Sequence, residues 1–300
     1  MKFAHKFPPK CHGFTLIEAV IVIVVTGIVA GMVAVFIKSP VEGYFDSARR
    51  AELTNVADTA ARRMSRDIRQ ALPNSVRNPT DGSDQCVEFI PTKIGGRYRA
   101  VTSAAGGDVL DFTAIDGRFD MLWLNSALPA ADQIAAGDVV VVYNDGSASG
   151  DAYTGVNAVQ VISLAQPGGT ANTTAISFVA SGVGTPFNPK QFPSESPSNR
   201  FQVIPSGSHV VSYGCSGGVL TRYTRKLSAA WAQPATCAAM TTGATAAVLA
   251  QNVTTCSLHY DPPGSSTGLS RFGIVSISLE MTQAGESVKL YHQIHVDNTP

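Results

Sequence analysis

The sequence predicts an α+β protein in which one long amino-terminal helix precedes a mostly antiparallel β-sheet domain. Residues Phe14–Ile37 form an apolar run interrupted only by Thr15, Glu18 and Thr26 among side chains that are neither apolar nor small. Apolar residues then continue at helical spacing as far as Leu72. After residue 83 the pattern changes to short segments rich in Val, Ile, Phe and Tyr between turn-forming residues, which is typical of strands.

Composition excludes several function classes. The 300 residues carry 22 Lys+Arg and 22 Asp+Glu, so the chain has no net charge and nothing suggests nucleic-acid binding. No phosphate-binding loop or dinucleotide fingerprint is present, and no cofactor is predicted. The charge is uneven, since four arginines cluster in one predicted helix at Arg62, Arg63, Arg66 and Arg69. We interpret this cluster as a solvated helix face and not as a partner-binding patch.

The amino end carries a basic leader followed by a membrane-length helix. Residues 1–13 contain three lysines and no acid, and the apolar run behind them is long enough to span a bilayer. A secretory signal peptide is not indicated, because the run continues into Phe36-Ile37-Lys38 without a small-residue cleavage site. A plain membrane anchor would not explain the carboxylate of Glu18, since an acid costs roughly 2.5–3.5 kcal/mol at the centre of a membrane helix and less near the interface.

The segment Gly13-Phe14-Thr15-Leu16-Ile17-Glu18, between this leader and the apolar helix, resembles the class III signal of type IV pilins and type II secretion pseudopilins. The resemblance implies a pilin-like fold, cleavage between Gly13 and Phe14 by a prepilin peptidase, and N-methylation of the new Phe14 amine. It implies other major and minor pilins and the inner-membrane pilus assembly platform as partners. The basic leader agrees with a single-pass inner-membrane protein whose carboxyl-terminal domain is periplasmic before it enters the pilus.

The resemblance also gives Glu18 a role in assembly. In the family, the matching acid pairs with the amine of a neighbouring subunit as subunits enter the filament. Two unpaired charges in lipid are costly, and pairing relieves both, so Glu18 would promote docking without being catalytic. The alternative is that the Glu18 side chain only reaches the lipid headgroups.

Four segments are predicted along the chain: a leader at 1–13, a transmembrane helix at 14–37, an amphipathic continuation at 38–72 and a β-rich periplasmic domain at 73–300. Pro40 is expected to kink the helix and Pro73 to end it. The continuation is expected to lay an apolar stripe that includes Ala57, Met64 and Ile68 on the β domain.

The predicted strands of the domain are separated by turn-forming residues. Two local hairpins are predicted, with turns at 215–218 and 283–286, and the chain at 186–198 is predicted as an exposed loop. A short helix is possible at Ala246–Gln251. The clearest predicted strands are Cys86–Ile90, Val109–Phe112, Met121–Leu124, Val139–Tyr143, Val159–Leu164, Ala175–Val179, His209–Tyr213, Val219–Tyr223, Thr254–Tyr260, Phe272–Met281 and Val288–Val296.

Four cysteines of the domain predict two disulfides in an oxidising compartment: Cys86, Cys215, Cys237 and Cys256. Their connectivity cannot be deduced from the sequence. We favour Cys215–Cys237, which closes a loop, and Cys86–Cys256, which ties two strands.

Three motifs could be mistaken for sites, and no catalytic or metal-binding residue is predicted. Residues 214–218 match G-x-S-x-G around Ser216, but a strand follows where an esterase has a helix, so a hairpin is favoured. His292 and His295 are three apart on a predicted strand and point to opposite faces. Asn144–Ser147 with Asp151 lacks the spacing of a calcium loop and is interpreted as a turn.

Further segments narrow the resemblance to minor pilins of MSHA-type (mannose-sensitive haemagglutinin) pili, specifically the MshO family. They lie at residues 43–46, 62–73, 211–215 and 253–260. The resemblance implies a structural role in the pilus tip or initiation complex. A J-like pseudopilin of type II secretion is the alternative, and a membrane-tethered hydrolase using Ser216 or an adhesin with a ligand in its loops stays open.

Overall fold

The computed structural model describes residues 13–104, 106–165, 172–178, 186–263 and 272–300. Helix α1 spans Leu16–Arg69 and helix α2 spans Cys237–Thr241. Single turns of 3-10 helix lie at Asn125–Ala127 and Pro197–Asn199. The strands are β1 (Cys86–Phe89), β2 (Ile94–Arg97), β3 (Arg118–Met121), β4 (Val139–Val141), β5 (Ala158–Gln160), β6 (Ser163–Ala165), β7 (Thr174–Ser177), β8 (Arg200–Ile204), β9 (Val210–Ser216), β10 (Val219–Arg225), β11 (Thr245–Ala250), β12 (Val253–Asp261), β13 (Phe272–Gln283) and β14 (Glu286–Asp297).

The strands form four antiparallel sheets. Two sheets have four strands, in the orders β1-β9-β10-β11 and β2-β8-β4-β5. Two have three strands, in the orders β12-β13-β14 and β3-β7-β6. Every ladder between the described strands is antiparallel, so the predicted α+β architecture is confirmed. Both predicted hairpins, β9–β10 and β13–β14, are also confirmed.

Several predicted elements differ from the structure. Val109–Phe112 is not a strand, although Leu110 is buried and Phe112 packs against the same core. The possible helix at Ala246–Gln251 is instead strand β11, because it pairs along β10. Strand β2 was not predicted, since its sequence Ile-Gly-Gly-Arg lacks an alternating apolar pattern. Val179 of the predicted strand Ala175–Val179 lies outside the described residues.

The chain divides into two compact units, and the division falls within helix α1 after Glu52. In the first unit the apolar side chains of the helix are exposed, including Leu16 at 84% and Phe36 at 77%. Helical structure continues through Pro40. The kink expected there and the four predicted segment boundaries stay predictions.

In the second unit the end of helix α1 forms part of the main core. Leu53, Ala57, Ala60, Met64 and Ile68 are buried against strands of the β1-β9-β10-β11 and β12-β13-β14 sheets. Alanine at two of these positions allows the helix backbone to approach the sheet closely. The predicted apolar stripe is therefore confirmed from Leu53 onward. The arginine cluster lies on the exposed face of the helix, at Arg62, Arg63, Arg66 and Arg69.

Helix α1 ends before Pro73 and is held by polar contacts. Both the backbone N–H and the hydroxyl of Thr92 donate to the carbonyl oxygen of Gln70, at 2.8 and 2.7 Å. The Asp67 carboxylate accepts from the Tyr213 hydroxyl at 2.6 Å and from Arg222 Nε at 2.8 Å. The two bonds of Asp67 tie the end of the helix to the neighbouring strands β9 and β10, and those of Thr92 tie it to the chain between β1 and β2.

A buried ion pair lies beside this core. The Glu88 side chain is fully buried, and its Oε1 lies 2.6 Å from Arg77 Nη2. Trp231 Nε1 donates to both carboxylate oxygens at 3.3 Å, and the Arg77 guanidinium lies 3.5 Å from the centre of the Tyr153 ring. Burial raises the pKa of Glu88, and the positive charge of Arg77 opposes that rise.

Candidate processing and assembly site

The amino end of helix α1 begins with a side-chain cap. Thr15 precedes the first helical residue, Leu16, and its hydroxyl oxygen accepts a hydrogen bond from the Glu18 N–H at 3.3 Å. The Thr15 carbonyl accepts from the Ala19 N–H at 3.1 Å. Thr15 therefore satisfies one of the four amide donors that a helix leaves unpaired at its start.

Glu18 occupies the third position of this helix, where an acidic residue stabilises the positive end of the helix dipole. Threonine followed three residues later by glutamate is the capping-box pattern. Sequence reasoning assigned Glu18 only to subunit docking or to headgroup contact, although this pattern was visible. The hydrogen bond to Thr15 uses the Glu18 N–H, and the position of the carboxylate in the first turn favours the start of its own helix through the dipole.

Gly13 lies outside the helix, in chain assigned neither to helix nor to strand. A Cβ atom built on Gly13 would meet nothing within 4 Å, and its backbone is not in the left-handed region. No contact among the described residues therefore requires glycine at this position. Residues 1–12 of the predicted leader lie outside the described part of the chain.

The helix beyond this cap is suited to lipid. In its membrane-length part, residues 16–37, the side chains are exposed around the whole circumference, and by length and composition the helix can cross a membrane. Thr26 is the one hydroxyl in the run besides Thr15, and it donates to the Val22 carbonyl at 2.6 Å. Hydroxyls bonded back to their own helix expose less polar surface to lipid.

The predicted disulfide partners were wrong. The disulfides join Cys86 to Cys237 and Cys215 to Cys256. Cys86 lies opposite Gly214 in the ladder between β1 and β9, so its side chain shares a face with Gly214. The next residue, Cys215, points to the other face. Each of these two cysteines therefore forms its disulfide on its own face of the sheet. Cys86 bonds to Cys237 at the start of α2, and Cys215 bonds to Cys256 on β12. The favoured pairs Cys215–Cys237 and Cys86–Cys256 would have to cross the sheet.

The G-x-S-x-G motif forms the predicted hairpin. Ser216 pairs with Val219, and Gly217 and Gly218 form the turn with φ of 58° and 78°. Two consecutive positive φ values are typical of a type I′ turn, which favours glycine. The described residues around the shallow pocket beside Ser216 include neither histidine nor a carboxylate, so no general base is placed beside its hydroxyl.

The structure also places the histidine pair and the Asn144–Ser147 segment, neither of which was interpreted as a metal site. His292 and His295 lie on opposite faces of β14, as predicted. The Asn144 side chain donates to the Pro73 carbonyl at 2.6 Å and accepts from the Ala152 N–H at 2.8 Å. It therefore holds a turn together, which agrees with the prediction for this segment.

His259 lies between two carboxylates, although its spacing from Asp261 was too little to predict a site. Its Nδ1 is 2.7 Å from Asp84 Oδ1, and its Nε2 is 3.2 Å from Asp261 Oδ1. The hydrogen bond to Asp84 is the main reason that the pKa of His259 is raised. Asp261 lies on β12 with His259, and Asp84 lies in the chain before β1, so the Asp84 contact links two parts of the domain.

Residues 8–34 match the prokaryotic N-terminal methylation motif. No curated protein and no solved structure matches the chain. The motif covers Gly13, Phe14, Thr15 and Glu18, and it is followed by the long helix and antiparallel sheets described above. The chain therefore combines an α+β pilin-like fold with the amino-terminal signal of a membrane-anchored pilin or pseudopilin, a structural class of protein.

Proposed function

We propose that this chain is a minor pilin of MSHA type, of the MshO kind, with a structural role in the tip or initiation complex of a type IV pilus. A prepilin peptidase cleaves it between Gly13 and Phe14, and the new Phe14 amine is methylated. The observation that carries the proposal is the methylation motif at the capped start of an apolar helical run, residues 16–37, in which Glu18 is the single acid.

The topology in the membrane follows from the charges and the cysteines. The basic leader favours the cytoplasmic side. The domain contains two disulfides, which form and persist in an oxidising compartment such as the periplasm. We therefore place the protein in the bacterial inner membrane with one span and a periplasmic domain, from which the assembly platform and other pilins take it into the filament.

The test is mass spectrometry of the mature amino terminus. Protein from cells with the prepilin peptidase is expected to begin with N-methylated Phe14, and protein from cells without it is expected to keep residues 1–13. A mature protein that retains its leader in both strains contradicts the proposal. Recovery of the processed chain in sheared pili supports the pilus assignment, whereas recovery only with a secretion pseudopilus supports the J-like alternative.

The variant Glu18→Gln separates the role of Glu18 in subunit docking from its role at the start of helix α1. Glutamine can still serve in a capping box, so helix content and Phe14 processing are expected to remain unchanged. Incorporation into pili is expected to fall by roughly tenfold or more, because the charged amine of a neighbouring subunit loses its partner in lipid. Quantitative immunoblots of sheared pili against whole cells give the incorporated fraction.

Thr15→Ala is the matched control, since it removes the cap of the same helix and keeps the Glu18 charge. We expect this variant to assemble much better than Glu18→Gln, and Glu18→Val to resemble Glu18→Gln. If Glu18→Gln assembles normally while Glu18→Val and Thr15→Ala fail, Glu18 acts through helix capping and the docking role is wrong.

A further inference from the structure

A groove of about 430 Å³ opens on the exposed side of strands β2 and β8. Its residues lie between 95 and 202 and do not belong to helix α1. Trp123 and Leu122 line it with large exposed fractions, 59% and 43%. Exposed side chains of this size next to one another commonly mark a binding surface. Neither side chain was selected as a binding residue, because both were assigned to the predicted strand Met121–Leu124. That strand prediction was wrong beyond Met121, where β3 ends.

Two arginines lie side by side in this groove. Arg97 and Arg200 are directly opposite each other in the ladder between β2 and β8, so both side chains are on the same face. Like charges in such a pair are destabilising. Neither arginine forms an ion pair with a carboxylate in the described parts of the chain, whereas nearby Arg99 and Arg118 pair with Asp120 and Asp108. Among the described residues the groove therefore holds two positive charges without a neutralising partner.

The space between these side chains exists because of a glycine. Gly95 is exposed, pairs with Gln202 and lies on the same face as Arg97. Its φ is not in the left-handed region, so the backbone does not require glycine. A side chain at this position would project into the groove, where its Cβ would lie 3.3 Å from the Phe201 carbonyl oxygen. Gly95 thus keeps the floor of the groove open.

These features define the chemistry of a ligand. Guanidinium groups match the planar geometry of a carboxylate and bind it through two hydrogen bonds. The Trp123 ring offers a broad apolar face beside them. The volume lies within the range of small-molecule pockets. The groove is therefore suited to a compact ligand that combines one flat, apolar ring face with an anionic group.

We propose that this groove binds a carboxylate-bearing sugar of an acidic polysaccharide. Arg97 and Arg200 hold the carboxylate, and Trp123 stacks on the sugar ring. An acidic peptide fits less well, because the backbone beside Arg97 is already paired: Leu122 N–H donates to the Arg97 carbonyl at 2.9 Å, and Tyr98 bridges Met121. Residues 121 and 122 therefore occupy the edge of β2 at Arg97, which hinders the addition of a peptide strand at that point. The proposal is independent of the assembly role.

Isothermal titration of the full chain in detergent micelles tests the proposal, with tri-galacturonic acid as the probe and maltotriose as its uncharged counterpart. Binding of tri-galacturonic acid alone is expected. Arg97→Gln, Arg200→Gln and Trp123→Ala are each expected to weaken it by about tenfold or more. Gly95→Leu is expected to abolish it by filling the groove.

Arg63→Gln is the matched control, since Arg63 is an exposed arginine on helix α1, and it is expected to bind as the unmodified chain does. Melting temperatures separate binding from folding: Arg97→Gln should melt no lower than the unmodified chain, because it removes a like-charge pair. The proposal is overturned if tri-galacturonic acid does not bind, if maltotriose binds equally well, or if binding persists in Trp123→Ala, which would indicate a site for simple anions.

Discussion

Replacing Arg77 by alanine is expected to destabilise the folded domain by about 3–5 kcal/mol, since it leaves the Glu88 carboxylate buried without its charged partner. Among the described residues, only the Trp231 N–H would still donate to the carboxylate, and the stacking of Arg77 on Tyr153 would also be lost. The loss should be largest at neutral pH. Burial already raises the pKa of Glu88, and removing Arg77 raises it further, so acidification neutralises the carboxyl and reduces the penalty.

Urea unfolding of the full chain in detergent, followed by tryptophan fluorescence, measures this effect at pH 7 and pH 5. Trp231 contacts the ion pair directly and reports on it. Arg118→Ala is the control, because its pair with Asp108 is exposed and should contribute no more than about 1 kcal/mol. Adding Glu88→Gln to Arg77→Ala should recover part of the stability, as it removes the buried charge. Equal losses for Arg77→Ala and Arg118→Ala would show that the buried pair is unimportant.

Removing the disulfide between Cys86 and Cys237 by serine substitution at both positions is expected to cost about 2–5 kcal/mol. This bond joins residues 151 apart, whereas the bond between Cys215 and Cys256 joins residues 41 apart. Restricting a longer loop removes more entropy from the unfolded chain. The Cys215→Ser/Cys256→Ser double variant is therefore expected to lose roughly 1 kcal/mol less.

Peptide mapping without reduction, combined with urea unfolding of both double variants, checks the connectivity and its energy together. Linked peptides should contain Cys86 with Cys237 and Cys215 with Cys256. A linked peptide containing Cys215 and Cys237 would restore the pairing that the sequence favoured. If the shorter-loop variant loses more stability than the longer-loop variant, the entropic explanation of the difference is wrong.

Local patterns explain which parts of the fold could be predicted. The long helix, the stripe from Leu53 to Ile68 and the two hairpins each depend on residues close in sequence, and all are confirmed. The disulfide pairs depend on which face of β9 each cysteine occupies, which requires the register of β1 on β9. Strand β2 depends on pairing with β8, more than a hundred residues away, and its two glycines give no apolar signal.

The candidate sites likewise divide into those set by local sequence and those set by tertiary contacts. Gly13, Phe14 and Glu18 stand together in one short segment, where a motif can be recognised without knowing the fold. The arginine pair of the groove joins Arg97 to Arg200, and the histidine cluster joins His259 to Asp84, in each case through tertiary contacts. Sequence spacing contains no information on such pairs. The Thr15 cap is the exception, because its pattern was local and was overlooked.

The position of the Thr15 cap has a consequence for proteolysis at the proposed site. The peptide bond between Gly13 and Phe14 lies ahead of the first helical turn, in backbone that makes no helical hydrogen bond. An enzyme can therefore cleave this bond without unwinding helix α1. The helix keeps its Thr15 cap after cleavage. The new amino terminus at Phe14 would then lie one residue before Thr15, close to the amino-terminal end of helix α1.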